Sequence, residues 1–244
     1  MSMLLRWLLL SCLTIVARAQ EPKLVVPDSP FAAYDLSALK AGEWVEYRDR
    51  HGRLPVEEHP EHVRLERWAC VEATPAFVVV EVTALRLAGG GGGEDVLAYE
   101  LERATGRIRR AWQGKAGVQG VEFGLDHHEV PDDEPVRGEL VVAPEAIEHL
   151  GRRWDADHIV ETLERGEGPD AQTTTTRAWY SPDVPFRLRE PDVLVRGLVR
   201  KGERARPGGL LRREVRCEGP RAYRSSTELT ALGTDARSTL ARPK

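Results

Sequence analysis

TTTTRAWYSPDVPF (Thr173–Phe186) opens with four β-branched residues, passes through two aromatics and stops at a pair of prolines. Threonine suits a pleated, half-buried strand. Trp179 and Tyr180 then point to opposite faces, because side chains alternate along a strand. Pro182 and Pro185 end the ladder, since neither can donate a backbone hydrogen bond. A strand ended by chemistry in this way sets the reading of its neighbours. ADHIVETLERG (Ala156–Gly166) precedes it, and VLVRGLVRKG (Val193–Gly202) and LLRREVRCEG (Leu210–Gly219) follow. All are strand-length and separated by short Gly/Pro-rich links, so the spacing predicts antiparallel neighbours.

The same period runs through the first half. WVEYRDRHG (Trp44–Gly52), VRLERWACVEA (Val63–Ala73) and FVVVEVTALRLA (Phe77–Ala88) predict a three-stranded meander. LAYELERATGRIRRAW (Leu97–Trp112) reads as a hairpin about Thr105-Gly106. The run Gly89–Gly93 has no side chains to pack and no Lys-Ser/Thr behind it, so it predicts a hairpin tip and not a phosphate-cradling loop. The stretch 114–138 reads as turns with one short strand around Val121 to Leu125, and Glu139–Ala143 as a brief strand. Two segments carry helix signals. FAAYDLSALKAG (Phe31–Gly42) has Ser29 as N-cap, Pro30 at the first turn and Gly42 past the end; PEAIEHLG (Pro144–Gly151) has proline first and glycine as stop. The expected fold is mainly β with minor α: a single curled antiparallel sheet, an incomplete barrel, with short helices packed on it. One β-rich domain spans 29–219, with a linker over 20–28 and a disordered tail over 220–244.

Residues 1–19 read as a secretory signal peptide, with Arg6, an apolar run from Trp7 to Val16 and the small-x-small site Ala17-Arg18-Ala19. The run is too short to span a bilayer. The chain is therefore expected to be exported, periplasmic or extracellular; Leu9–Cys12 also fits a lipoprotein box, which would anchor it through Cys12. Without Arg6 and Arg18, 35 basic residues become 33 against 39 acidic, and the formal charge moves from −4 to −6. That balance gives no reason to expect nucleic-acid binding. Lysine is confined to five positions, so arginine carries nearly all the positive charge, which reads as a compositional habit and not as a phosphate-binding surface. Cys70 and Cys217 remain after cleavage, and an even count in an exported chain suggests a disulfide. Closing 217 − 70 = 147 residues, such a bridge would contribute ~4–5 kcal/mol by chain entropy. Two buried thiols are the alternative.

Catalytic motifs are missing. There is no Gly-x-Ser-x-Gly elbow, and paired carboxylates such as Asp132-Asp133 or Asp155 and Asp157 read as surface groups. Asp126-His127-His128-Glu129 is ligand-like in residue type, but adjacent histidines on an extended chain diverge, so a metal would need His149 or His158 as well. His51, His59 and His62 have no tight spacing. The chain reads as non-enzymatic, with no cofactor and no metal. The tryptophans Trp44, Trp68, Trp112, Trp154 and Trp179, with Tyr180, are read either as bulky elements of one core or as walls of a ligand cavity.

The series GEWVEYR (Gly42–Arg48), GRRWDADHI (Gly151–Ile159), TTTTRAWYSPDVPF and RGLVRKGE (Arg196–Glu203) resembles exported bacterial proteins of the LolA/LolB/LppX-like group and uncharacterised relatives. The resemblance implies an incomplete β-barrel whose open face is plugged by helices, with an apolar cavity that holds lipid or an acyl chain. It implies no catalytic residue, and the cavity arginine that some such carriers need has no matching position here. Two functions are expected on this basis: a carrier of an apolar ligand held between sheet and helices, or the same fold with a packed core, acting as a protein-interaction module whose partner is unknown. The third reading, an unrecognised hydrolase or metal-binding protein, would require His127 or His128 to converge with other polar groups in a pocket.

Overall fold

The computed structural model describes residues 31–53, 62–85, 94–123, 137–166, 168–192, 198–220 and 222–242. The signal and linker segments, Cys12, His59, the Gly89–Gly93 run, the Asp126–Glu129 cluster and Asp132-Asp133 lie outside them. Twelve strands are described: β1 (Trp44–Arg53), β2 (His62–Ala73), β3 (Phe77–Leu85), β4 (Asp95–Glu102), β5 (Ile108–Lys115), β6 (Val121–Glu122), β7 (Arg137–His149), β8 (Arg152–Arg165), β9 (Gln172–Ser181), β10 (Val199–Gly202), β11 (Gly209–Glu218) and β12 (Tyr223–Gly233). They form one curled, unclosed sheet in the order β10-β7-β8-β9-β11-β12-β1-β2-β3-β4-β5-β6. Every neighbouring pair is antiparallel except β10 with β7, which makes the sheet mixed. Two meanders are thus joined where the last strand pairs with the first, from Trp44↔Gly233 to Arg53↔Tyr223.

Three sequence expectations are corrected. Residues 220–244 do not form a disordered tail: Tyr223–Gly233 is a central strand, hydrogen-bonded to β11 and β1. Pro144–Gly151 is no helix but the second half of β7, and Leu150 and Gly151, both at positive φ (49° and 70°), turn it tightly into β8. Positive φ at both central residues is the geometry of a type I′ hairpin turn. Pro144 is tolerated because β10 pairs only with Glu139–Val142, leaving β7 an edge strand beyond that point. Phe31–Gly42 is likewise a run of turns. The Asp35 carboxylate accepts from the Ser37 amide at 3.1 Å, and the Asp35 amide donates to the Arg187 carbonyl at 2.7 Å. Short polar side chains compete with helical bonding in this way. Among the described residues the one helical element is the three-residue 3-10 turn Gly168–Asp170.

Loops therefore do the plugging that helices were expected to do. Phe31, Leu36 and Leu39 from the first loop, and Val184 and Phe186 from the segment after β9, are buried against Val45, Tyr47, Val80, Leu101, Leu211 and Leu229 of the sheet's inner face. On the opposite face the segment after β12 crosses β3 to β5 and buries Leu240 against Val96, Ala98 and Trp112.

The expected disulfide is absent. Cys70 and Cys217 are both buried free thiols. Register gives the reason. The Cys70 amide donates to the Glu43 carbonyl at one end of β1, whereas Cys217 pairs through Tyr223 with Arg53 at the other. Ten residues of strand separate those levels, roughly 30 Å at about 3.3 Å per residue, and a disulfide needs Cα atoms within about 7 Å. Burial pushes the Cys70 thiol up to about 12, so it stays protonated at neutral pH.

Candidate functional site

The aromatic residues singled out in the sequence do not line one cavity. Trp68 is half-buried and packs against the core, with Phe31 at 5.7 Å and Phe186 at 5.9 Å between ring centroids. Trp154 is buried in the same core and donates from its indole nitrogen to the His149 carbonyl at 2.8 Å. Trp112 lies on the other face beneath Leu240. Trp44 donates to Asp235 at 2.8 Å and carries the Arg67 guanidinium over its ring. Trp179 stacks on His158 at 4.4 Å, and both reach Glu145. His149 is engaged separately, with its Nε2 2.6 Å from the Leu229 carbonyl, so the two histidines do not converge. Among the described residues no group of three or more His, Cys, Asp or Glu could hold a metal ion. Asp157, read as a surface group, is buried: it accepts from the Arg206 amide at 2.6 Å and from its guanidinium, which also binds exposed Asp155. That guanidinium holds the Asp155 carboxyl below the usual range.

Tyr180 does line a recess on the inner face, together with Leu140, Ile159, Glu161 and Arg213, but its volume is about 110 Å³. Sites for drug-sized ligands run to about 300–1,000 Å³. The recess is too small for an acyl chain. Glu161 is its odd member. Its Oε1 is buried without a hydrogen-bond partner among the described residues, and burial pushes the carboxyl above its ordinary value of 4.5, against a smaller pull from Arg165. An acid raised on folding contributes stability below its unfolded value and loses it as pH rises through the folded one. At pH 7 the ionised group is a net cost. Glu161→Gln is expected to raise the urea midpoint at pH 7 and to make no difference near about pH 3.5, where both side chains are neutral. A variant no more stable at pH 7 would show that the carboxylate is solvated.

A larger concavity lies on the outer face. A groove of about 700 Å³ crosses β9, β11, β12 and β1 and is lined by five arginines, Arg50, Arg177, Arg212, Arg216 and Arg224. Ladder register builds it as three rungs. The middle rung runs Arg177–Glu214–Ser226–Arg50, flanked by Thr175–Arg216–Arg224–Gly52 on one side and Trp179–Arg212–Glu228–Arg48 on the other. All five lining arginines are exposed. Arg212 pairs with Glu214, and Arg216 with Glu218 at 2.9 Å. Arg50 and Arg177, at the two ends of the middle rung, make no ion pair with a described residue. Exposed guanidinium forks without a carboxylate partner are suited to bidentate capture of an external anion.

Sequence reasoning missed this groove. Its signal was the Arg-x-Glu-x-Arg alternation of Arg212, Glu214 and Arg216, which puts three charges on one face of a strand. Arg50 and Arg177 could be added only once β12 was known to bridge β11 and β1. No protein-family profile matches the chain, and no curated protein or solved structure does either. No helix among the described residues is long and apolar enough to cross a membrane.

Proposed function

We propose that this chain is an exported binding protein with a filled interior that works through its outer face, taking an anionic partner in the arginine groove. The observation that carries this reading is the contrast between the two concavities: about 110 Å³ inside and about 700 Å³ outside, the latter ringed by guanidinium groups. Phe31, Leu36, Val78, Leu101, Leu211 and Leu229, each at most 2% exposed, fill the space where the resemblance to lipid carriers implies a cavity. The reading is thus the packed-core alternative, with the groove as its working surface.

Retention on dextran sulfate tests it. The wild-type chain should be held in low salt and released as salt rises, because exposed charges are screened. Arg50→Gln/Arg177→Gln should elute at clearly lower salt with an unchanged melting temperature, since neither side chain makes an ion pair with a described residue. Equal retention of the two proteins would move the binding surface elsewhere. Native mass spectrometry of the chain from an exporting host provides the cross-check: co-purifying lipid would restore the carrier reading.

A further inference from the structure

We infer that the partner is a segment of acidic polysaccharide, a sugar chain whose carboxylates are spaced apart by hydroxyl groups; this rests on the groove being the binding surface. The four strands beneath it, β9, β11, β12 and β1, are interior to the sheet, each paired on both sides. An extended peptide therefore finds no free edge to join as an added strand. Recognition has to come from side chains standing on the sheet face.

Those side chains are arranged in alternation. Along the middle rung an arginine, a carboxylate, a hydroxyl and an arginine follow one another on adjacent strands. With neighbouring strands about 4.8 Å apart, the guanidinium-bearing ends are separated by roughly 14 Å at the backbone. Glu214 and Glu228 sit between arginines in the lining. A dense polyanion would press phosphates against both carboxylates, and like charges repel. A phosphodiester chain also needs aromatic faces on which bases stack; the one aromatic ring of the three rungs, Trp179, is outside the lining and is already stacked on His158 at 4.4 Å, with the Arg212 guanidinium 5.8 Å from its centroid. Val215 is its one aliphatic residue, so the apolar parts of a peptide would find little to bury against. A uronic-acid chain meets each feature: its carboxylates take the guanidinium forks, its hydroxyls donate to Glu214 and Glu228, and its ring oxygens and hydroxyls accept from Ser226 and Thr175. The volume matches a stretch of a few sugars.

The test is isothermal titration of the full chain, at low and at physiological salt, with four probes: a hexameric oligogalacturonate, its fully methyl-esterified form, a hexaglutamate peptide and a single-stranded DNA hexamer. The acidic sugar should bind tightest. Methyl esterification, which keeps every hydroxyl and removes every charge, should weaken it at least about tenfold, as should Arg50→Gln/Arg177→Gln, because charge-assisted hydrogen bonds are lost in both. If the peptide or the DNA binds more tightly than the sugar and the double variant abolishes that binding, the groove stands and the polysaccharide assignment falls. If no probe binds, or the double variant binds all of them as the wild type does, both fall together.

Discussion

Leu240→Ala is expected to destabilise the chain by about 2–5 kcal/mol, the range for truncating a buried leucine, although Leu240 lies near the end of the sequence. The segment after β12 lies across β3 to β5, where Gln119 and Ala241 form a parallel bridge. Its Leu240 side chain fills a slot that two glycines leave open: a Cβ added at Gly114 or at Gly120 would sit 2.7 Å from a Leu240 methyl carbon. Beside the slot, the buried Glu81 carboxylate accepts from the Ser238 hydroxyl at 2.5 Å, from the Thr239 amide and hydroxyl at 2.8 Å each, and from the Leu240 amide at 3.4 Å. That carboxylate fixes the height at which the leucine enters. Gly114→Ala should cost about 1–3 kcal/mol through overpacking. The decisive experiment is the double variant. With Leu240 shortened, the methyl group added at position 114 enters the vacated space, so Gly114→Ala/Leu240→Ala should be more stable than the sum of the single effects allows. Urea midpoints of the four proteins give the coupling. Additive losses would mean that the leucine does not occupy the slot.

How far the sequence reveals this arrangement differs from element to element. β3, β4, β5, β8, β9 and β11 are legible because their alternation or β-branched runs survive in isolation and glycines or prolines bracket them. β12 is not, because YRSSTELTALG is mostly polar; only Thr227 and Leu229 are buried, and its place in the sheet comes from pairing both with adjacent β11 and with β1, far away in sequence. Phe31–Gly42 carries local helix signals that lose to tertiary hydrogen bonds with 187–189, as weak propensities do when packing offers an alternative. The cysteine count suggested a bridge because parity says nothing about register. The groove stayed hidden for the same reason as β12: Arg50 and Arg177 come from opposite halves of the chain, and the strand that brings them to one face was not read as a strand. What sequence did supply was the outline of a curled β sheet and the absence of a catalytic motif.

Trp154→Ala should be the most damaging single change in the second meander, at about 3–5 kcal/mol. The β7–β8 hairpin runs well past its neighbours: β8 pairs with β9 only from Asp157↔Tyr180 onward, so residues 152–156 extend beyond that ladder. Two contacts secure the extension. His149 Nε2 meets the Leu229 carbonyl of β12 at 2.6 Å, and Trp154, 1% exposed, inserts into the main core while Arg152 covers its ring at 3.4 Å. The tryptophan also caps the turn from within by donating to the His149 carbonyl at 2.8 Å. Removing the ring takes away a large buried area and the hydrogen bond together. Trp154→Phe separates the two, since it keeps most of the area and loses only the donor; its cost should be nearer about 1–2 kcal/mol. Hydrogen exchange then reads where the damage falls. If the ring is what anchors the hairpin end, amides of 145–156 should exchange faster in Trp154→Ala than those of β2 and β3, at a pH where the global fold persists. Uniform acceleration would instead make the hairpin and the first meander one cooperative unit. A loss below about 1 kcal/mol, with exchange unchanged, would mean that the indole is not in the core at all, since no buried ring of that size is removed so cheaply.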